Sequence, residues 1–218
     1  EALRIFTNLL EIQPTLAISS SENISEEMYA LNIVDSLIDQ IPSQFNIIDF
    51  KKRFNLNDTI NMVLYHEITS YNELIFVMKS SLEKMKKGLK GLIIIDSNLE
   101  NFLRKIKSDH IPTEWSLSSY PSILSLHSYM KDFKKRIQFI SNWVRTASKP
   151  IVFDLGAFFH PDEFLSGIFQ IFSRKHGVSY DSLHWKTTPV DSDADQISNE
   201  PSEGVYISGL PLEGAKWE

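Results

Sequence analysis

Apolar side chains recur at Leu64, Ile68, Tyr71, Ile75, Met78, Leu82, Met85 and Leu89, in steps that alternate four and three. That spacing places all of them on one stripe of an α-helix. The stretch after Asn57 and Asp58 therefore predicts a helix with a heptad seam, sustained over about 26 residues and roughly 40 Å long at 1.5 Å per residue. Gly88 and Gly91 break the pattern. A seam of this length has to be covered, by the rest of the chain or by a second copy.

Shorter periodic segments surround it. Leu3, Phe6, Leu9, Leu10 and Ile12 predict the end of a helix stopped by Pro14. After a Ser19–Ser21 linker, Ser25, Glu26 and Glu27 suit a first helical turn, and Leu31, Val34, Leu37, Ile38 and Ile41 continue the pattern to Pro42. A further helical stretch runs to about Ser108. Pro121 is expected to open another helix, with Leu126, Tyr129, Met130, Phe133, Ile137, Ile140, Trp143 and Val144 on one face and Lys131, Lys134, Lys135 and Arg136 opposite. From Pro150 the texture changes. Ile151–Phe153 predicts a strand, and Asp162–His176 a helix with acids at its start, Arg174, Lys175 and His176 at its end, and Gly177 just beyond. Val178–Lys186 and Gly204–Ser208 read as strands flanking an acidic loop, Asp191–Glu203. The fold class expected is α+β: a helical bundle with one long helix over the first two-thirds, then a small incomplete antiparallel sheet, a partial barrel, with one packed helix.

Composition narrows the function classes. With 218 residues, 42% hydrophobic and 23% charged, the chain has the makings of a real core and is not of disordered or collagen-like type. It has no cysteine, which removes disulfides, thiol nucleophiles and Cys-based zinc sites. No apolar run in it, Leu92–Ile95 included, approaches the ~18 residues of a membrane span. Glu1 is not a Met, and the residues after it read as mid-helix, so the chain is expected to be a piece of a longer one. Charge is unevenly placed: residues 178–218 hold eight acidic residues against Lys186 and Lys216, which accounts for the whole net charge of −6. No glycine precedes Gly88, so the front is expected to be helical and the tail to turn often.

Candidate chemistry is thin. Leu92–Ile95 followed by Asp96 has the shape of a Walker B strand, whose Asp would hold magnesium, but there is no G-x-x-x-x-G-K-[ST] loop to cradle phosphates and Ser97 stands where a catalytic Glu is common. A buried apolar turn is the better reading. His160, Asp162 and Glu163 gather three possible metal ligands, which Pro161 and the start of a helix explain better, as charges that suit a first turn. His66, His110, His127, His176 and His184 lack ligand spacing. Lys79–Lys90 and Lys131–Lys149 are basic stretches on amphipathic helices, read as solvated faces or docking faces for an acidic neighbour rather than nucleic-acid footprints. Ser166-Gly167 lacks the G-x-S-x-G elbow of hydrolases. Phe153, Phe158, Phe159, Phe164, Phe169 and Phe172 are read as core between helix and sheet. No catalytic, cofactor-binding or metal residue is assigned.

Three separated motifs carry a resemblance. Trp115, then Ser119-Tyr120-Pro121-Ser122, Asp132, Arg136 and Trp143 form the first. Leu155–Gly167 with Gln170, Arg174-Lys175 and Asp181 form the second, and Gly204–Trp217 the third. Together with Glu67, Tyr71-Asn72, Leu74 and Lys90-Gly91-Leu92, they make the sequence resemble the C-terminal region of dynein heavy chains, AAA+ motors that move along microtubules. Tyr129 and Asp154 depart from the usual residues, and the Leu-Glu-Gly-Ala-x-Trp ending is similar to axonemal members. The resemblance implies that residues 1–54 are the helical end of the sixth AAA+ module, 55–150 the helical part of the C-terminal domain and 151–218 its partial barrel, truncated at Glu218. It implies a non-catalytic piece that packs on the AAA+ ring and modulates motility. ATP, magnesium and microtubules would be bound by other parts of the parent protein. Other dynein subunits are possible partners, nucleic acid and membrane are not, and the expected location is the cytoplasm and cytoskeleton, in a ciliary or flagellar axoneme. The alternative from another class is a free-standing helical adaptor that dimerises through the heptad seam.

Overall fold

A computed structural model describes residues 26–209, so the helix expected at 1–13 and the motif end at Leu210–Trp217 lie outside the described residues. Among those described, seven helices and two strands follow in order: α1 (Glu26–Gln40), α2 (Ile47–Arg53), α3 (Thr59–Leu89), α4 (Ser97–Lys107), α5 (Thr113–Leu117), α6 (Leu126–Thr146), β1 (Val152–Asp154), α7 (Pro161–His176) and β2 (Tyr206–Ser208). Two compact units share them: residues up to Gln44 with Tyr71–Lys135, and Phe45–Ser70 with the residues from Arg136 onward. The heptad seam is covered by the molecule's own residues. Leu64, Ile68, Tyr71, Ile75, Met78, Leu82 and Met85 are wholly buried, and Leu89 is half-buried.

In the first unit, Tyr71, Leu74, Ile75, Met78 and Leu82 of α3 form the core with Val34 of α1, Trp115 of α5 and Tyr129 and Phe133 of α6. Tyr71 and Phe133 lie 6.3 Å apart, and Tyr129 stacks on Phe133 at 6.4 Å. A side chain of this size stabilises by roughly 1.5–3 kcal/mol when fully buried. One chain of polar groups runs through this core. The Trp115 Nε1–H donates to Ser81 Oγ at 2.8 Å, and that hydroxyl donates to the Met78 carbonyl at 2.9 Å.

Helix α3 ends in a left-handed glycine. Gly91 has φ +70°, its N–H reaches the Gly88 carbonyl, and the Leu92 N–H reaches the Lys87 carbonyl, which satisfies two of the last orphan acceptors. Space at Gly88 is tight, since a Cβ there would stand 3.1 Å from side-chain atoms of both Ile95 and Leu99. Two expectations are corrected in this region. Leu92–Asp96 is an exposed turn, with Leu92 70% and Ile94 93% exposed, because no neighbouring strand pairs with it and both helix caps hold it as a short connector. Pro121 does not begin α6; the helix starts at Leu126, where Asp109 supplies its carbonyl to the Leu126 N–H and its carboxylate to the His127 N–H, both at 2.9 Å.

The second unit packs α2, the first three turns of α3 and the last part of α6 with β1, α7 and β2. Phe153, Phe158 and Phe164 are buried as expected, at 4.6 and 4.9 Å from one another through Phe164, with Trp143 edge-on to Phe153 at 5.5 Å. Phe159, Phe169 and Phe172 are only half-buried, and Phe169 stacks on Trp185 at 4.3 Å. Gly167 lets α7 approach α3 closely: a Cβ there would meet Thr59 at 3.2 Å and Val63 at 3.4 Å. The sheet departs from expectation. Among the described residues it has two strands, and β1 pairs with β2 in parallel, Phe153 opposite Ile207. The segment between them includes α7, and a long crossover of this kind delivers the next strand in the same direction where a hairpin would reverse it. Val178–Lys186 is not a strand but a single 3-10 turn at Tyr180–Ser182 in extended, mostly exposed backbone. Nothing among the described residues closes a barrel.

Candidate functional site

The one fully buried acidic side chain among the described residues is Glu67, and the chemistry of the second unit gathers around it. Glu67 sits three residues after Leu64 and four before Tyr71, so helical geometry places it on the buried side of α3. Its Oε2 accepts the Phe159 N–H at 2.6 Å and its Oε1 accepts the His160 N–H at 2.9 Å. These two consecutive donors belong to the turn that opens α7, where helix N–H groups lack intrahelical partners. His160, in the position before the helix, makes no side-chain cap of its own, and Pro161 then starts the helix with no N–H to satisfy. Glu67 thus ties the start of α7 to α3 across some 92 residues of sequence.

Two exposed pairs flank this anchor. His66 Nδ1 lies 2.9 Å from Glu163 Oε2, and Ser70 Oγ lies 3.1 Å from His160 Nε2. Burial pushes the Glu67 carboxyl up from 4.5 to about 7; the Phe159 and His160 N–H groups work against that rise, Glu163 adds to it and His66 subtracts. An acid that changes charge near neutral pH is the most unusual electrostatic feature among the described residues. Its surroundings do not assemble a catalytic relay. The Glu67 carboxylate is engaged by main-chain N–H groups, His66 is paired with Glu163, and the Ser70–His160 contact stands at the surface without a carboxylate orienting the ring among the described contacts.

The other candidates fall elsewhere. Asp96 caps α4, its Oδ1 accepting the Leu99 N–H at 2.8 Å, and Lys84 Nζ stands 3.7 Å from its other oxygen. It is a helix cap on an exposed turn, not the end of a buried strand. His160 and Glu163 point to different partners, and no group of three His, Asp or Glu side chains suited to a metal occurs among the described residues. His110 lies against the Ser108 carbonyl, and His176 stacks on Phe172 at 4.2 Å. Several lysines of the basic stretches meet partners within the molecule: Lys86 pairs with Asp35, Lys134 donates to Gln40, and Lys149 pairs with Glu200. Ser166-Gly167 lies inside α7. Residue-by-residue reasoning missed Glu67 as a site, although a lone acid inside an apolar stripe is a readable signal.

Comparison with known proteins agrees from end to end. The family model described as the C-terminal domain of the dynein heavy chain matches residues 1–218. Dynein axonemal heavy chain 12 of Rattus norvegicus is 33% identical over 215 residues, 98% of this chain and 7% of that protein. Dynein axonemal heavy chain 1 of Rattus norvegicus is 30% identical over 220 residues, 100% of this chain and 5% of that one. The Dynein-1-beta heavy chain, flagellar inner arm I1 complex, of Chlamydomonas reinhardtii is 31% identical over 216 residues, covering 98% and 5%. The 218 residues therefore span only a small part of the length of the curated relatives they match.

Proposed function

Because the chain belongs to the family defined by the C-terminal domain of dynein heavy chains, we propose that it serves as a non-catalytic part of an ATP-driven microtubule motor, packing on the motor's AAA+ ring and tuning the coupling between ring modules. The family match over residues 1–218 carries this reading, and Asp96, which the sequence places like a magnesium ligand, serves in the structure as the cap of a helix start. The axonemal and flagellar names of the relatives support a place in a ciliary or flagellar axoneme, with the remainder of the heavy chain and possible other dynein subunits as partners. ATP, magnesium and microtubules then belong to other parts of the parent protein. The adaptor alternative is not favoured, since the seam that would join two copies is covered within one.

Calorimetric titration of the 218-residue protein with ATP and magnesium should give no binding heat, whereas tight magnesium-dependent binding lost on Asp96→Ala would overturn the reading. In the parent motor, removing these residues should leave nucleotide binding intact and change ATP turnover or gliding velocity. If neither rate moves, the tuning role is wrong.

A further inference from the structure

We propose that Glu67 is a proton-controlled latch between α3 and the start of α7, held more firmly in mildly acidic than in mildly alkaline solution. The geometry leaves the carboxyl no route to water while the unit is closed. It is 0% exposed, each oxygen is covered by a main-chain N–H of the α7 entry turn, and Gly167 seats the same helix against Thr59 and Val63 further along. Glu67 can be hydrated only if the Phe159–His160 turn lifts away. Opening and hydration are therefore one event, and the charge state of this single group biases it.

The direction follows from linkage. In the closed state burial raises the carboxyl to about 7; in the opened, hydrated state it returns toward 4.5. The closed state binds the proton more tightly, so closure is favoured most fully below 4.5 and loses that advantage as pH rises to about 7, with little further change above. The Phe159 and His160 N–H groups favour the charged carboxylate and work against the rise, but burial is the larger effect. Glu163, from the first turn of α7, disfavours its charge, and His66, from α3, favours it. His160 contributes its main-chain N–H, while its ring turns to Ser70. The inference does not depend on the motor reading and fails or stands separately from it.

The test is hydrogen exchange at the Phe159 and His160 amides in the full 218-residue protein, corrected for the intrinsic pH dependence of exchange. Between pH 6 and pH 8 the opening constant should rise about tenfold. Glu67→Gln, which cannot ionise, should abolish the slope, and His66→Gln should keep it. A flat wild-type profile, or a slope that survives in Glu67→Gln, overturns the proposal. Should Glu67→Gln fail to fold, the carbon-13 shift of the Glu67 carboxyl in the wild type decides: a midpoint near 7 supports the latch, and one near 4.5 overturns it.

Discussion

Ser81 is a small polar residue on the long helix, yet two buried groups depend on it. It accepts from Trp115, a wholly buried indole, and donates to the carbonyl of Met78 one turn back. Replacing it with Ala removes a few atoms and leaves the indole N–H with no acceptor in a dry site, which costs about 1–3 kcal/mol. Urea unfolding of Ser81→Ala should show a lower midpoint at unchanged slope. Trp115→Phe in the same background should cost packing but remove the orphaned donor, so the double variant should lose less than the sum of the two single changes. Glu67 differs from Ser81 in kind: its partners are main-chain groups in the turn that leads into another helix, and its own charge is at stake.

At the scale of elements, the long helix is where sequence and structure meet best. The alternating steps of four and three depend only on helical geometry, so the buried stripe of α3 was readable without knowing what covers it. The ends of α7 were readable for the same local reason: acids in its first turn, bases in its last and a left-handed Gly177 at φ +66°. What escaped were features whose partners are distant. Asp109 caps α6 from seventeen residues upstream, so Pro121 looked like the start. The short helix α2 went unnoticed, although Asn46 accepts from the Asp49 N–H and Lys51, Lys52 and Arg53 close it. Glu67 enters the sequence reading only through family resemblance, because its donors at 159 and 160 cannot be inferred from spacing. The covered seam makes a prediction of its own. Ile75→Lys puts a charge in a wholly buried position, at a cost of about 3–5 kcal/mol. Chemical denaturation should find the variant largely destabilised, and sedimentation should find the wild-type protein monomeric at every concentration. A wild-type dimer that Ile75→Lys converts into a folded monomer would revive the adaptor reading.

Across the whole molecule, each unit is assembled from two separated stretches of sequence. The second unit needs Phe50, Leu64, Glu67 and Trp143 from before residue 150 as much as it needs Phe153 and Phe164 from after it. Residues 151–218 expressed alone would carry β1, α7 and β2 without those partners. Their circular dichroism should show little of the α7 helix, since an isolated 16-residue helix is marginal in water. A cooperative melt from that piece would show it to be self-sufficient. Charge, too, is distributed at this scale: the acidic loop is mostly exposed, and Lys149 reaches back to Glu200 within it.

The parallel pairing of β1 with β2 bears on how the protein is made. Val152 and Tyr206 sit 54 positions apart, and closing a flexible loop of that length costs about 3–4 kcal/mol in entropy before two three-residue strands return anything. During synthesis at roughly 5–20 residues per second, β1 waits several seconds for its partner to be translated. Phe153 and an open strand edge would spend that interval exposed, which is the condition under which nascent polypeptides associate wrongly. Trp143 has already been made by then, and Phe164 follows Phe153 within a dozen residues. If Trp143 and Phe164 pack on Phe153 then as they do in the folded protein, β1 gains an aromatic cover that does not wait for β2.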